Sequence, residues 1–366
     1  MKKKGSTDMK ICWISNTPAP YKVEFMNYLG KQSELYCMFE ARSYSHREQS
    51  WYNYDFDHFT AEYLDDNKAK KAIRNAAEQY DVLISSDYSH KYCRYAVRQF
   101  RKKSKTTWML VDGGLAVPRG LLDLVISHEM KRYDRFLSSG DAVNEKYFDY
   151  YGIDRTRICN YHLACMSTAE IEQCASMKKN RDDYRKELGL PDHTILLSVG
   201  QQVPRKGFDV LVKAMKGIKS RADLYIIGGE PQKEVKEFVE HNELSNIHFI
   251  PFLNKDGLAK YYAASDMFVL PTRYDIWGLV INEAMAYGLP LISTDHCMAA
   301  VEMEKKFGCA VTVPTDDDER LLEAILDLIN DPLRQKELSG KALKAVKHYT
   351  YEKMTQDFLM YLTEKQ

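Results

Sequence analysis

Short apolar runs recur along the chain, each followed by a polar turn and then, in most cases, by residues at helical spacing. In the first half such runs predict strands over 9–15, 34–39, 80–86, 106–111 and 134–138, and helices over 23–29, 91–103 and 142–151. The stretch 40–66 is polar, aromatic and irregular. The alternation stumbles over 158–166, and a polar helical lead-in covers 168–189. It then resumes with strands over 194–199, 223–229, 246–251, 263–270, 291–294 and 309–313. Helices are predicted over 209–215, from Gly278 to the stop at Gly288 and Pro290, from Asp316 onward, and over 351–363. Strands alternating with helices imply α/β architecture with doubly wound parallel sheets. A chain of 366 residues is too long for one typical core. The expected division is 1–162, 163–347 and a terminal helical segment, 348–366.

Composition narrows the partners. Lys plus Arg (52) equals Asp plus Glu (52), so bulk charge points to no nucleic acid. The eight cysteines form no C-x-x-C pair and no zinc spacing. Met1-Lys-Lys-Lys is basic but has no apolar run behind it of the kind a secretory signal needs. A cytoplasmic protein with free thiols is expected.

Two strand–loop–helix passages carry candidate chemistry. In Leu270–Pro290 a polar segment meets a helix N-terminus at Gly278, where free N–H groups and the helix dipole favour a phosphate. Asp275 and Glu283 flank it. Carboxylates beside an anion site are suited to accept hydrogen bonds from hydroxyls, as on a ribose or a sugar. In the second passage Gly200-Gln-Gln-Val-Pro-Arg205-Lys206-Gly207 follows a strand and leads into a helix.

The string Asp275-Ile-Trp-Gly-Leu-Val-Ile-Asn-Glu283-Ala-Met-Ala-Tyr-Gly-Leu-Pro resembles the E-x7-E signature of family 4 retaining glycosyltransferases, with Asp275 in place of the first Glu. The loop at Gly200 is similar to that family's G-R-x(3,4)-K-G pattern, with Lys206 matching and Gln201 standing where the family has Arg. Asn16-Thr-Pro-Ala-Pro-Tyr, Asp112-Gly-Gly and 138–154 resemble capsular-polysaccharide transferases of the family. The resemblance implies the GT-B fold: two Rossmann-like domains facing a central cleft, with the last helix crossing back to the first. It implies a retaining, metal-independent transferase that moves a sugar from a nucleotide donor, expected to be a UDP-sugar, to a hydroxyl of a glycan or lipid-linked acceptor. No cofactor beyond that co-substrate is implied. Lys206, Arg205 and Asp275 become the catalytic candidates. Gly200, Gln201, Gly229, Phe252, Gly278, Leu279, Val280 and Glu283 become the donor-binding ones. Asn16, Tyr21, Lys22, Asp112 and Gly113 become the acceptor-side ones, although the loop at 16–22 reads equally well as a plain connection.

Other features admit two readings. Asp55-Phe-Asp57 matches the DxD of metal-dependent transferases, but a solvated turn is the simpler account. Asp316-Asp-Asp318 suits helix capping better than a metal. The 91–103 segment interleaves Arg94, Arg98, Arg101, Lys102 and Lys103 with Tyr92, Tyr95 and Phe100. It fits a face on anionic lipid at the inner membrane surface, or a solvated helix end. The rival to activity is a non-catalytic GT-B subunit that scaffolds a partner transferase, suggested by Asp275 for Glu, Gln201 for Arg and Glu230 for Gly. A dinucleotide-dependent oxidoreductase would need a glycine fingerprint that the first strand–loop–helix lacks.

Overall fold

The computed structural model describes residues 9–42 and 55–363. The basic head at 1–8 and residues 43–54 of the irregular stretch lie outside the described residues. The chain divides into two compact units, Met1–Ala164 with Thr350–Gln366, and Cys165–Tyr349.

Unit 1 contains β1 (Lys10–Ser15), α1 (Pro20–Gly30), β2 (Glu34–Phe39), β3 (Thr60–Tyr63), α2 (Ala69–Gln79), β4 (Val82–Ser85), α3 (Lys91–Lys102), β5 (Thr106–Val111), α4 (Leu121–Met130), β6 (Arg135–Ser138), α5 (Asp141–Val143) and β7 (Ile158–Asn160). Its strands form a parallel sheet in the order β3-β2-β1-β4-β5-β6-β7. The central strands read as unbroken apolar runs because helices cover both faces of such a sheet. Chain order reverses between β1 and β4, so the loops after these strands open at a crevice.

Unit 2 contains α6 (Thr168–Lys179), α7 (Arg181–Leu188), β8 (Thr194–Val199), α8 (Phe208–Ile218), β9 (Ala222–Ile227), α9 (Lys233–His241), β10 (Ile247–Ile250), α10 (Lys255–Ala264), β11 (Met267–Leu270), α11 (Leu279–Ala286), β12 (Leu291–Thr294), α12 (Met298–Phe307), β13 (Ala310–Val313), α13 (Asp318–Asn330) and α14 (Pro332–Ala345). Its sheet runs β10-β9-β8-β11-β12-β13, all parallel, and reverses between β8 and β11. Leu211 and Met215 of α8 pack with Ile325 of α13 and with Ile226 and Val269 of the sheet.

Helix α15 (Tyr351–Thr363) belongs to unit 1. Its Phe358 stacks on Trp13 at 5.8 Å and meets Phe25 edge-on at 5.2 Å, and all three rings are fully buried. Tyr351 stacks on Tyr28, and Asp357 bonds His162 Nδ1 at 2.9 Å.

Several sequence expectations shift. Ala263 and Ala264 close α10 instead of opening a strand. The helix expected over 142–151 starts as α5 and widens into π-helical winding at Asn144–Phe148, where Asp149 N–H bonds Asn144 O. Strand β3 lies within the stretch read as irregular. Two of the three aromatic residues of α3 do not share its outer face: Tyr92 and Phe100 are buried with Cys93, Ala96 and Val97, while Tyr95 is half-buried and Arg94, Arg98, Arg101 and Lys102 lie outside. Asp317 caps α13 by accepting the Arg320 N–H at 2.9 Å. The carboxylates of Asp55 and Asp57 are exposed, and Asn27 pins their turn by bonding Asp55 O and Asp57 N–H.

Candidate active site

In unit 2 the loops after β8 and β11 lie side by side at the reversal point. Gly207 lets them close, at φ 68°: a Cβ there would stand 2.0 Å from Pro271 O. The backbone of Arg205 is then paired across, its carbonyl accepting from Arg273 N–H (2.8 Å) and Thr272 Oγ1 (3.0 Å). Arg273 holds the same loops together with a two-pronged bond to Asp209, and also pairs with Asp316.

This closure brings Lys206 and Asp275 together. Nζ lies 2.5 Å from Oδ2, and both residues are buried. Arg205 is more exposed; its Nη1 donates to Tyr274 O at 2.6 Å and stands 3.8 Å from the same Oδ2. The backbone of Asp275 is fixed by its N–H to His296 O and its C=O to Met298 N–H.

Gly278 (φ 102°) turns the chain into α11 without a side-chain cap. A Cβ at this position would meet Cys297 Sγ at 2.9 Å, so only glycine fits. The first N–H groups of α11, at Leu279 and Val280, therefore start the helix uncapped, as an anion site requires. Glu283 sits one turn on. Tyr262 Oη donates to its Oε2 at 2.8 Å, and Tyr262 is itself stacked on Tyr287. Burial pushes the Glu283 carboxyl up from its ordinary range, against the opposing pull of the Tyr262 bond and the Lys255 charge.

Gly200 N–H bonds Ile227 O, and a Cβ on Gly228 would strike Gly200 O at 2.0 Å, so the β8 and β9 loops are also in contact. Gly229 follows at φ 116°. Gln201 is exposed, and Phe252 after β10 is 45% exposed. Sequence reasoning passed over Gln202, whose buried amide has no hydrogen-bond partner among the described residues. It also passed over Tyr262. The signal for Gln202 was a second polar residue where the loop leaves a buried strand; Tyr262 gave none.

In unit 1, Asp112 after β5 collects three donors: Tyr21 Oη (2.9 Å) and Lys22 Nζ (2.9 Å) at Oδ2, and Tyr161 Oη (3.0 Å) at Oδ1. Lys22 is buried and also reaches Ser15 Oγ at 3.4 Å. Asn16 closes the β1 turn by accepting Thr17 N–H, and Gly113 follows Asp112 at φ 151°. Glu40, at the end of β2, lies 2.6 Å from His90 Nδ1 and accepts from Cys93 Sγ.

Two parallel-sheet units of seven and six strands are the GT-B architecture. Anabaena HepE in complex with UDP superposes with a TM-score of 0.79 over 97% of this chain and 100% of that one, at 13% identity, a likeness of fold. Residues 180–345 match the family described as glycosyl transferases group 1. An uncharacterized glycosyltransferase of Methanocaldococcus jannaschii is 31% identical over 67% of this chain and 72% of its own length. A GDP-mannose-dependent monoacylated alpha-(1-6)-phosphatidylinositol monomannoside mannosyltransferase of Corynebacterium glutamicum is 30% identical over 43% of this chain and 44% of its own. The chain belongs to the group 1 family and is a glycosyltransferase.

Proposed function

We propose that this enzyme moves a sugar from a UDP-sugar to a hydroxyl of a glycan or lipid-linked acceptor, with retention of anomeric configuration, in the building of a cell-surface polysaccharide. The observation that carries the reading is the buried Lys206 beside the uncapped start of α11, at the point where unit 2's sheet reverses. A diphosphate leaving group gains negative charge as the glycosidic bond breaks, and a fixed ammonium with aligned N–H groups stabilises that charge. Lys206 and the N–H groups of Leu279 and Val280 hold the diphosphate, with Arg205 adding charge at the rim. Gly200 and Gly229 give the donor close backbone approach, and Gln201 and Gln202 offer it amides. Glu283 accepts from the ribose hydroxyls. Asp275 orients the sugar, and Phe252 lies against the base. In unit 1, Asp112 with Tyr21 and Lys22, flanked by Asn16 and Gly113, receives the acceptor. With fixed cations and a helix dipole in place, the reaction runs without a metal, and the leaving phosphate takes the acceptor proton.

UDP bound to HepE supports the choice of base. The mannosyltransferase relative, named for GDP-mannose, supports a nucleotide donor and a lipid-borne acceptor. Work on such an acceptor puts the enzyme in the cytoplasm, attached peripherally at the inner membrane face. The test is release of nucleoside diphosphate from a panel of nucleotide sugars in excess chelator. UDP-sugar hydrolysis unaffected by chelator is expected. A strict metal requirement, or no turnover of any nucleotide sugar, defeats the proposal.

A further inference from the structure

Helix α4 is apolar on the side that faces away from its own core. Ile126 and Met130 are buried, while Leu121 (83% exposed), Leu122, Leu124 (69%) and Val125 stand outward, with Val117 exposed just ahead of them. At about 100° per residue, positions 121, 122, 124, 125 and 128 fall within one arc of about 160°. Two polar side chains share that arc, both toward its C-terminal end: His128 and Glu129, the latter neutralised by its ion pair with Arg132. Contiguous aliphatic surface of this kind marks an interaction face.

Its surroundings say what meets it. Helix α3 lies alongside, with Arg101 Nη1 donating to Arg132 O at 2.8 Å just past the end of α4. Helix α3 contains no acidic residue, and Arg94, Arg98 and Lys102 are exposed with no ion-pair partner among the described residues. At the C-terminal end of α3 the cations continue into a cavity of about 390 Å³ lined by Arg101, Lys105 and Arg135, with Asp134. The acids of α4 are engaged: Asp123 accepts from Arg119 N–H and Tyr150 Oη, and Glu129 pairs with Arg132. Protein-binding surfaces draw their energy from aromatic and hydrogen-bonding anchors, whereas this stripe is aliphatic and bordered by cations.

We infer that α4 and α3 together form a docking face for an anionic lipid bilayer, with the α4 side chains entering the acyl boundary and the α3 cations resting on lipid phosphates. This deepens the peripheral-attachment reading above and rests on it. It also names a surface apart from the donor and acceptor residues. At about 1.5 Å per residue α4 lies in the interface without crossing it, and no helix among the described residues is long and apolar enough to span.

The experiment uses the full chain with phosphatidylcholine vesicles, with and without phosphatidylglycerol, at low and high salt. Binding should need the anionic lipid and weaken with salt. Leu121→Ser with Leu124→Ser should lower affinity about tenfold or more, with melting temperature and donor hydrolysis unchanged. Arg98→Gln with Lys102→Gln should weaken binding and flatten its salt dependence. A wild-type chain that ignores anionic vesicles overturns both this inference and the attachment reading. Binding that survives the serine double variant overturns the role of α4 and leaves attachment standing. If the chain sediments as a dimer without vesicles and the serine variant as a monomer, the face belongs to a second copy and the lipid assignment is wrong.

Discussion

Lys206 and Asp275 form a buried ion pair at 2.5 Å, and that pairing shapes what mutation will reveal. Removing one partner strands the other charge away from water, which typically costs about 3–5 kcal/mol. Lys206→Ala should therefore lower the melting temperature as well as kcat, the latter by about 100- to 1000-fold. The double variant Lys206→Met with Asp275→Asn separates the two effects, because it relieves the stranded carboxylate without restoring a cation. Thermal melting should recover while turnover does not. Recovery of both would place the catalytic charge elsewhere. In unit 1, burial pushes the Glu40 carboxyl up from 4.5 to about 7, and the charge on Asp87 adds to it. The folded protein keeps a proton here that the unfolded chain loses. The associated stability is complete below about pH 4.5 and is lost as pH rises through about 7. With solvent screening of a half-buried group, about 1–2 kcal/mol is at stake. Glu40→Gln should match the parent in denaturant melts at pH 4 and exceed it at pH 8; an equal difference at both would show that the group does not titrate in this range.

Among the elements, the passage from β11 through Gly278 into α11 has the least freedom. A side chain at Gly278 faces both a left-handed backbone and the Cys297 sulfur at 2.9 Å. Gly278→Ala should cost about 1–3 kcal/mol in stability and weaken UDP binding by tilting the first N–H groups of α11, as read by calorimetry. Unchanged binding with lowered stability would show that α11's N-terminus does not touch the diphosphate. This passage was legible in the sequence because a buried strand, a polar loop and a glycine each leave a local mark, and the central strands of both sheets were legible for the same reason. Other elements were not. Only Ser265 and Asp266 part the alanines at 263 and 264 from the apolar β11, and so short a polar break does not by itself separate the end of a helix from the start of a strand. Helix α4 drew no reading from the sequence, and its apolar residues do not tell whether its outer face is covered or bare. Tyr161 and Tyr262 reach Asp112 and Glu283 from positions 49 and 21 residues away, through packing that no local pattern encodes. The cation-rich face of α3 was visible as charge, but not the inward turn of its rings.

On the scale of the molecule, the two units differ in how the chain builds them. Unit 2 is one continuous stretch, whereas unit 1 is completed by α15, which follows unit 2 along the chain. Phe358 sits between Trp13 and Phe25 with no exposure. Phe358→Ala should cost about 3–5 kcal/mol, confined to unit 1. Hydrogen exchange should then speed up in β1 and α1 and stay unchanged in β8 and β11; a uniform loss of protection would mean that the units unfold together. The same aromatic cluster bears on biosynthesis. During translation Trp13 and Phe25 leave the ribosome long before Phe358, and all of unit 2 is made in between. The unit that emerges first cannot close its core until after the second has been synthesised. Over that interval the nascent chain carries an open aromatic seam, and holdase chaperones should meet this protein there.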